Sequence, residues 1–474
     1  MKKSVPPFSP RRESPEGDET IAAISTPFGE SGIGIVRISG SSAESIARRI
    51  FKPKKEPFSF ISHHFHFGEI IDPKAGIPLD EVLIVLMKSP ATYTREDIVE
   101  IHCHGGYLIL QKILELVLKE GARMAEPGEF TKRAFLNGRI DLTRAEAVID
   151  LIRARTDASL AIANQQIRGT LFTEISVMKE KLVDHLALIE AHIDFPEEEI
   201  DSIPLTEMKE DLRRLACDLE KWVSSYEEGR LFREGISCAI TGKTNVGKSS
   251  LLNVLLKEER AIVTPFPGTT RDVIEEVLNI RGIPVRLMDT AGLRRTADLV
   301  EREGVRRTKE KVADADLVLL VIDGSRELDS DDIEIFKELE EKKKVVVLNK
   351  NDLPLRMSVT ERKEQFPQDP VVLISALRNT GIEELKEAVY TSLVHRDVRL
   401  SPEHVIVANV RHKVALSNAK DSLARALGFF EERESFEFIA FEIRSALDAV
   451  GEIVGETTPE DVLNRIFDQF CIGK

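Results

Sequence analysis

Eight residues carry the strongest chemical signal in the chain: Gly242-Lys-Thr-Asn-Val-Gly247-Lys248-Ser249, a G-x-x-x-x-G-K-[ST] loop. An apolar ISCAI precedes it and an apolar SLLNVLL follows, so it reads as a loop between a strand and a helix. In that setting the glycines let backbone amides and a helix N-terminus face phosphates. Lys248 supplies a cation to the β and γ phosphates, and the Ser249 hydroxyl can ligate Mg²⁺. Asn245, Val246, Gly247 and Ser250 complete the expected contacts. Three more pieces follow in order, each after an apolar run: Asp289-Thr290-Ala291-Gly292, Asn349-Lys350-Asn351-Asp352 and Ser375-Ala376-Leu377. The first would bring a carboxylate near Mg²⁺ and a backbone amide near the γ-phosphate. Asp352 in the second would accept two hydrogen bonds from the amide edge of guanine and reject adenine. The third would close over the base. Together they imply a GTP-binding α/β domain with a largely parallel sheet.

Between the first two pieces lies Thr264-Pro265-Phe266-Pro267-Gly268-Thr269-Thr270. Thr270 is the natural switch threonine, a second hydroxyl for Mg²⁺. Two parts usual in such sites are missing. Leu293 stands where a Ras-like protein has the glutamine that orients water. Glu301, further along, could act through a bridging water, or it is a solvated loop carboxylate. No arginine finger is evident. Asn245 and backbone carbonyls of the Thr264–Thr269 loop could instead hold a monovalent cation.

The chain that must position these groups has 474 residues, which suits roughly two to four domains. Hydrophobic content of 42% and charged content of 31% read as soluble and globular, with no apolar run long enough to span a membrane. The formal charge of −15 argues against broad phosphate-driven nucleic-acid binding but leaves room for a local basic patch. Cys103, Cys217, Cys238 and Cys471 stand far apart, which fits a reducing cytoplasm better than a disulfide framework. Residues 1–19 read as a disordered arm. Residues 20–138 alternate strands (IAAIS, GIGIVRIS, EVLIVLM, DIVEIHC) with one strong helix, YLILQKILELVLKEG, as an α+β domain. Thr143 and Glu146 fit a capping box opening a helical stretch over 139–234, broken at Pro196. A second helical piece, 395–474, shows a stripe of Val407, Val410, Val414, Leu416, Ala419, Leu423 and Leu427. Each helical piece alone leaves an apolar face uncovered. The α/β domain, 235–394, is therefore expected as an insertion in one discontinuous all-α domain, entered through a hinge at Glu228–Gly235.

The chain resembles the tRNA-modifying GTPase family called MnmE or TrmE, from about Thr20 to Lys474. The resemblance is carried by GIGIVRISG (32–40), EDIVEIHCHGG (96–106), EPGEFTKRAFLNGRIDLTRAEAV (126–148), IDFPEEEID (193–201), TPFPGTTRD (264–272), DTAGLR (289–294), VEREG (300–304) and the terminal FCIGK. It implies a potassium-stimulated GTPase whose G domains pair in a homodimer. Asn245, Thr264, Phe266 and Thr269 match its K⁺ ligands, Ser249 and Thr270 its Mg²⁺ ligands, and Glu301 its catalytic glutamate. It also implies an N-terminal dimerisation domain that binds 5-formyl- or 5,10-methylene-tetrahydrofolate through positions matching Arg37, Glu100, Arg139 and Lys474. Many members have lysine where Arg139 stands, so a flat fork replaces a point charge. From residue type alone, Arg37 and Glu100 would pass as strand-surface charges.

The resemblance implies a cytoplasmic GTP hydrolase that joins a flavin-dependent partner of the MnmG or GidA type, in a heterotetramer or larger complex. It would act on tRNA, adding a carboxymethylaminomethyl group at C5 of the wobble uridine. The alternative is a regulatory or ribosome-assembly GTPase switch. The terminal Cys-Ile-Gly-Lys is no prenylation box, since it lacks the required final residue. It is a frayed helix end or, by the resemblance, part of the folate site, with Cys471 a nucleophile or a bystander.

Overall fold

A computed structural model describes residues 19–27, 29–195, 205–259, 276–288, 312–394 and 405–474. The N-terminal part contains β1 (Ile21–Ile24), β2 (Ser31–Ser39), α1 (Ala43–Ile50), β3 (Phe51–Pro53), β4 (Phe65–Ile71), β5 (Pro78–Met87), β6 (Ile98–Gly105), α2 (Tyr107–Lys119) and β7 (Arg123–Met124). The strands form one seven-stranded sheet in the order β3-β4-β5-β6-β2-β1-β7, antiparallel except for the β1–β7 pair. Alternate residues explain its two faces. Val36, Ile38, Ile70, Val82, Ile84, Val99 and Ile101 bury against α1 and α2, whereas Phe65, Phe67 and Leu83 stay exposed on the other side. The strand at β4 was not expected from the sequence.

The helical part opens with α3 (Glu129–Leu136), α4 (Leu142–Arg153), α5 (Asp157–Ile167), α6 (Thr170–Asp194), α7 (Leu205–Ser224) and α8 (Tyr226–Glu234). The chain then enters an inserted α/β domain made of β8 (Ile236–Thr241), α9 (Lys248–Glu259), β9 (Glu276–Ile280), β10 (Ile283–Met288), β11 (Leu317–Asp323), α10 (Ser330–Glu338), β12 (Lys344–Asn349), α11 (Val359–Gln365), β13 (Val371–Leu373) and α12 (Ile382–Leu393). Its sheet order is β13-β12-β11-β8-β10-β9, parallel except for the β9–β10 hairpin. The chain returns to the helical part in α13 (Val410–Glu432), α14 (Phe436–Val454) and α15 (Glu460–Phe467).

One core unites the helices before and after the insertion: Leu171, Ile175, Leu182, Met208, Leu212 and Leu219 pack with Leu416, Ala419, Leu423, Ile443 and Val450. A buried polar knot fastens the same joint. Glu146 on α4 accepts hydrogen bonds from Arg411 Nη2 (2.8 Å) and Asn409 Nδ2 (3.1 Å), and His412 Nε2 lies 2.7 Å from it. Burial opposes ionisation of Glu146, but Arg411 and His412 outweigh it and hold the carboxyl well below its ordinary range. Burial pushes the His412 imidazole down despite the pull of Glu146. The insertion rests on this joint: Thr156 Oγ1 donates to Gly282 O at 2.7 Å, and Ile162, Leu231, Phe232 and Ala408 join the core of the inserted domain.

Three local expectations need correction. The cap of α4 is Asp141, whose side chain accepts from Arg144 N; Thr143 sits inside the first turn and Glu146 is drawn away by Arg411. Val410 and Val414 are exposed, because the buried stripe of α13 runs through Ala415, Leu416, Ala419, Leu423 and Ala426. The expected hinge at Glu228–Gly235 is mostly the helix α8. Pro196 lies outside the described residues.

Candidate functional sites

The loop Gly242–Gly247 joins β8 to α9, which opens on Lys248 and Ser249, at the carboxyl ends of the parallel strands, where the sheet order reverses direction. Gly247 has φ +100°, and a Cβ there would lie 2.1 Å from Asn349 Nδ2, so no side chain fits. Asn245 takes φ +63° and Val246 is buried. Ser249 and Ser250 are exposed in the first turn of α9. Lys248 Nζ donates to the carbonyls of Gly242 (2.8 Å) and Lys243 (2.5 Å). Burial lowers its affinity for the proton, and among the described residues it has no carboxylate partner. A half-buried ammonium curled over an amide-rich loop fits a phosphate group, whose negative charge would draw it outward. The exposed Ser249 hydroxyl fits one ligand position of a Mg²⁺ ion; the fit of K⁺ rests, among the described residues, on Asn245 alone.

The base-reading pieces converge on the same loop. Asn349 ends β12, donates from Nδ2 to Val246 O at 2.8 Å, and accepts from Ala376 N at 3.0 Å. It therefore ties the phosphate loop to Ser375–Leu377. Asp352 is exposed and accepts from Ser375 Oγ at 2.5 Å, which holds its carboxyl below the usual range. An ionised, open carboxylate suits a guanine edge. Leu377 is 81% exposed next to this braced segment, where its side chain is open to a flat ligand. Sequence reasoning missed Asp323. It pairs with Asn349 across parallel strands, and its Oδ2 lies 2.6 Å from Lys350 Nζ. Burial opposes its charge, yet Lys350 and Ser325 bring the carboxyl down to about 2. A carboxylate ending an otherwise apolar LVLLVID strand was the available signal. Lys243, inside the loop, is likewise clamped to Asp329 at the start of α10.

Thr264, Pro265, Phe266, Pro267, Gly268, Thr269, Thr270, Asp289, Thr290, Ala291, Gly292 and Glu301 lie outside the described residues.

A second constellation forms where the C-terminal tail meets the N-terminal sheet. Phe467 and Phe470 pack into a core with Phe135, Leu142 and Ile149. Ile472 then bridges Pro127, and Gly128 N donates to Cys471 O. Gly473 takes φ +97°, and a Cβ there would lie 2.4 Å from Ile24 O. Its carbonyl accepts from Ser25 Oγ (3.2 Å) and Arg37 Nη1 (3.3 Å). The tail is therefore docked, not frayed. Arg37 and Glu100 sit opposite each other on β2 and β6 and form an ion pair at 2.8 Å, with His102 Nε2 3.3 Å from the other carboxylate oxygen. The Arg37 guanidinium also lies over the Phe130 ring at 5.6 Å and the Tyr93 ring at 6.0 Å, and Arg139 lies over Tyr93 at 4.7 Å. Lys474 is half-buried, and burial followed by the nearby Arg37 lowers its pKa. Arg37, Glu100, Arg139 and Lys474 are thus gathered around Tyr93 and the tail. An ammonium with no ion pair among the described residues, beside a guanidinium, fits an anionic or carbonyl-bearing ligand. Glu100, between Arg37 and His102, fits the N–H edge of a pterin. Cys471 is exposed, and its carbonyl accepts from Lys474 N.

Two family models match the chain: "MnmE helical domain" over residues 142–471 and "GTP-binding protein TrmE N-terminus" over residues 20–139. The tRNA modification GTPase MnmE of Geobacter sulfurreducens is 52% identical over 457 residues, covering 96% of this chain and 99% of its own. The protein of that name from Thermoanaerobacter pseudethanolicus is 50% identical over 458 residues, with the same coverage of both. Among solved structures, the G domain of the T. maritima FeoB iron transporter is 28% identical over 33% of this chain and 98% of its own, at a TM-score of 0.26 that carries no argument.

Proposed function

This chain belongs to the MnmE family of tRNA modification GTPases, and from that premise we propose that it spends GTP to modify the wobble uridine of tRNA at its second constellation. It is a GTP hydrolase acting in tRNA modification. The product in our reading is a carboxymethylaminomethyl group at C5, made with a flavin-bearing partner of the MnmG type in the cytoplasm. Tetrahydrofolate, when bound, supplies the one-carbon unit. Arg37, Glu100, Arg139 and Lys474 hold and orient it, and the docked tail shields one side from water. Cys471 stands where a thiol could attack or merely line the site.

In the inserted domain, Lys248 neutralises phosphate charge, Ser249 and Thr270 hold Mg²⁺, and Asp352 selects guanine. Asn245, Thr264, Phe266 and Thr269 hold K⁺ in place of an arginine, and Glu301 orients water. The exposed Phe65, Phe67 and Leu83 on the open face of the N-terminal sheet support a homodimer, since such a patch favours cover.

The single observation that carries this reading is the tail: Gly473 is received by Arg37, which brings Lys474 near the Arg37–Glu100 pair with Cys471 close to Lys474. A regulatory or ribosome-assembly switch gives that docking no use. Mass spectrometry of wobble uridines in a strain lacking the chain tests it. Loss of the modified base, restored by the wild type and not by Lys474→Ala, is expected. An unchanged uridine pattern would favour the switch.

A further inference from the structure

Five cations lie on segments that pack around the docked tail: Arg95 in the loop before β6, Lys132 on α3, Arg139 just after it, Arg153 at the end of α4 and Arg465 on α15. Their partners are neutral. Arg95 Nη1 donates to Asn137 O at 2.9 Å, Lys132 Nζ to Asn464 Oδ1 at 3.0 Å, and Arg153 Nη2 to Gln469 O at 2.8 Å. Arg139 lies over the Tyr93 ring, and Arg465 is exposed in the last turn of α15. Among the described residues none of the five has a carboxylate within 4.0 Å. The buried and half-buried acids of these segments are already used. Glu96 pairs with Arg133, Glu129 with Arg123 and Arg133, Glu100 with Arg37, and Asp141 caps α4 beside Arg144. Glu126, Glu460, Asp461 and Asp468 remain exposed along the same stretch.

The surroundings give this rim its meaning. The chain carries a formal charge of −15 and so repels a polyanion over much of its surface. Cations that answer only to neutral groups keep their field available to a ligand. They rim the place where, in the functional reading above, a uridine must approach Lys474 and Cys471. A base can reach such a point only if the backbone on either side of it is held, and phosphate contacts are what set that register.

We propose that this rim is a tRNA-docking surface that grips the phosphates flanking the anticodon. It rests on the tRNA-modification reading and adds where the substrate sits. An acidic protein surface is the competing occupant. The test uses the full chain and a labelled anticodon stem-loop with an unmodified wobble uridine, with binding followed by anisotropy across a salt series. The combined variant Arg95→Gln/Lys132→Gln/Arg465→Gln leaves Arg139 and the tail contact of Arg153 in place. We expect stem-loop affinity to fall about tenfold or more, and the log affinity against log salt slope to shrink by about one per cation removed. GTP hydrolysis and tetrahydrofolate affinity should stay at wild-type values. A matched variant of the inserted domain, Lys337→Gln/Lys343→Gln/Arg362→Gln, should leave the slope unchanged. An unaltered slope in the rim variant, or equal losses in both variants, overturns the proposal. So does loss of affinity for the flavin partner with stem-loop binding intact. If the wild-type chain binds no stem-loop at all, the tRNA reading itself fails.

Discussion

The two constellations are built in opposite ways. The phosphate loop is local: eight consecutive residues, Gly242 to Ser249, run from the end of one strand into the first turn of one helix, and Asn349 braces them. The tail site is long-range: Arg37 meets Gly473 across 436 positions of sequence. The local site spends its contacts on shaping backbone, with its cation Lys248 left facing carbonyls. The distant site depends on three separate anchors: the Phe467–Phe470 core, the Ile472–Pro127 bridge and the Gly473 carbonyl. A local loop is specified by spacing; a distant one by packing elsewhere, so damage far from the tail site should reach it.

Lys248→Ala should break the local site most severely. GTP hydrolysis is expected to fall about a hundredfold or more, because a preorganised positive charge is lost from the phosphates. Folate affinity at the tail should be unchanged, and titrating both ligands on one preparation checks the separation. Glu301→Ala should abolish hydrolysis with GTP binding kept, measurable by single-turnover kinetics beside a binding isotherm.

Glu146→Gln probes the joint on which the distant site depends. Removing one partner from a buried charge pair typically costs about 3–5 kcal/mol, here because Arg411 loses its counter-charge. Denaturant melts of the full chain should show it. The wild-type joint should also weaken in acid. His412 is pushed below its ordinary pKa, so the unfolded chain binds its proton first, and stability falls as pH drops below about 6.5. Glu146 has a depressed pKa, so its contribution is present above about 4.3 and is lost progressively below that. Retained melting behaviour from pH 7 to 5 would contradict this account of His412.

The smallest effect is expected from Asp323→Asn. Lys350 would lose its charge-assisted partner, and GTP affinity should drop about tenfold, in line with roughly 1.5 kcal/mol for such a bond. Asp323→Glu should recover part of it.

Legibility followed the same division. The strands ahead of the phosphate loop, the Asn349–Asp352 piece and the Ser375–Leu377 piece were readable as apolar runs, and β8, β12 and β13 stand there. The insertion of one domain in another was readable because neither helical piece could cover itself. Less was visible where competing partners decide. The Thr143–Glu146 spacing suggested a cap, but Asp141 is nearer the helix start and Arg411 claims Glu146. The β4 sequence FHFGEII carries two-residue alternation, yet its histidine and glycine hid a strand that pairing with β5 fixes. Nothing local in FCIGK announces docking. Phe467 and Phe470 are ordinary helix-end aromatics until α3 and α4 supply the pocket. Among the site residues, the resemblance named Arg37, Glu100, Arg139 and Lys474, whereas Asp323, a carboxylate ending an apolar run, belongs to none of the motifs read from the sequence.

In the function proposed above, the docked tail completes a folate site separable from GTP hydrolysis. The direct measurement is 5-formyl-tetrahydrofolate affinity of a chain ending at Phe470, beside the intact chain, with GTP hydrolysis followed in both. Removal of the tail should cut folate affinity about tenfold or more at an unchanged hydrolysis rate. Folate binding undiminished by removal of Cys471–Lys474 would contradict it.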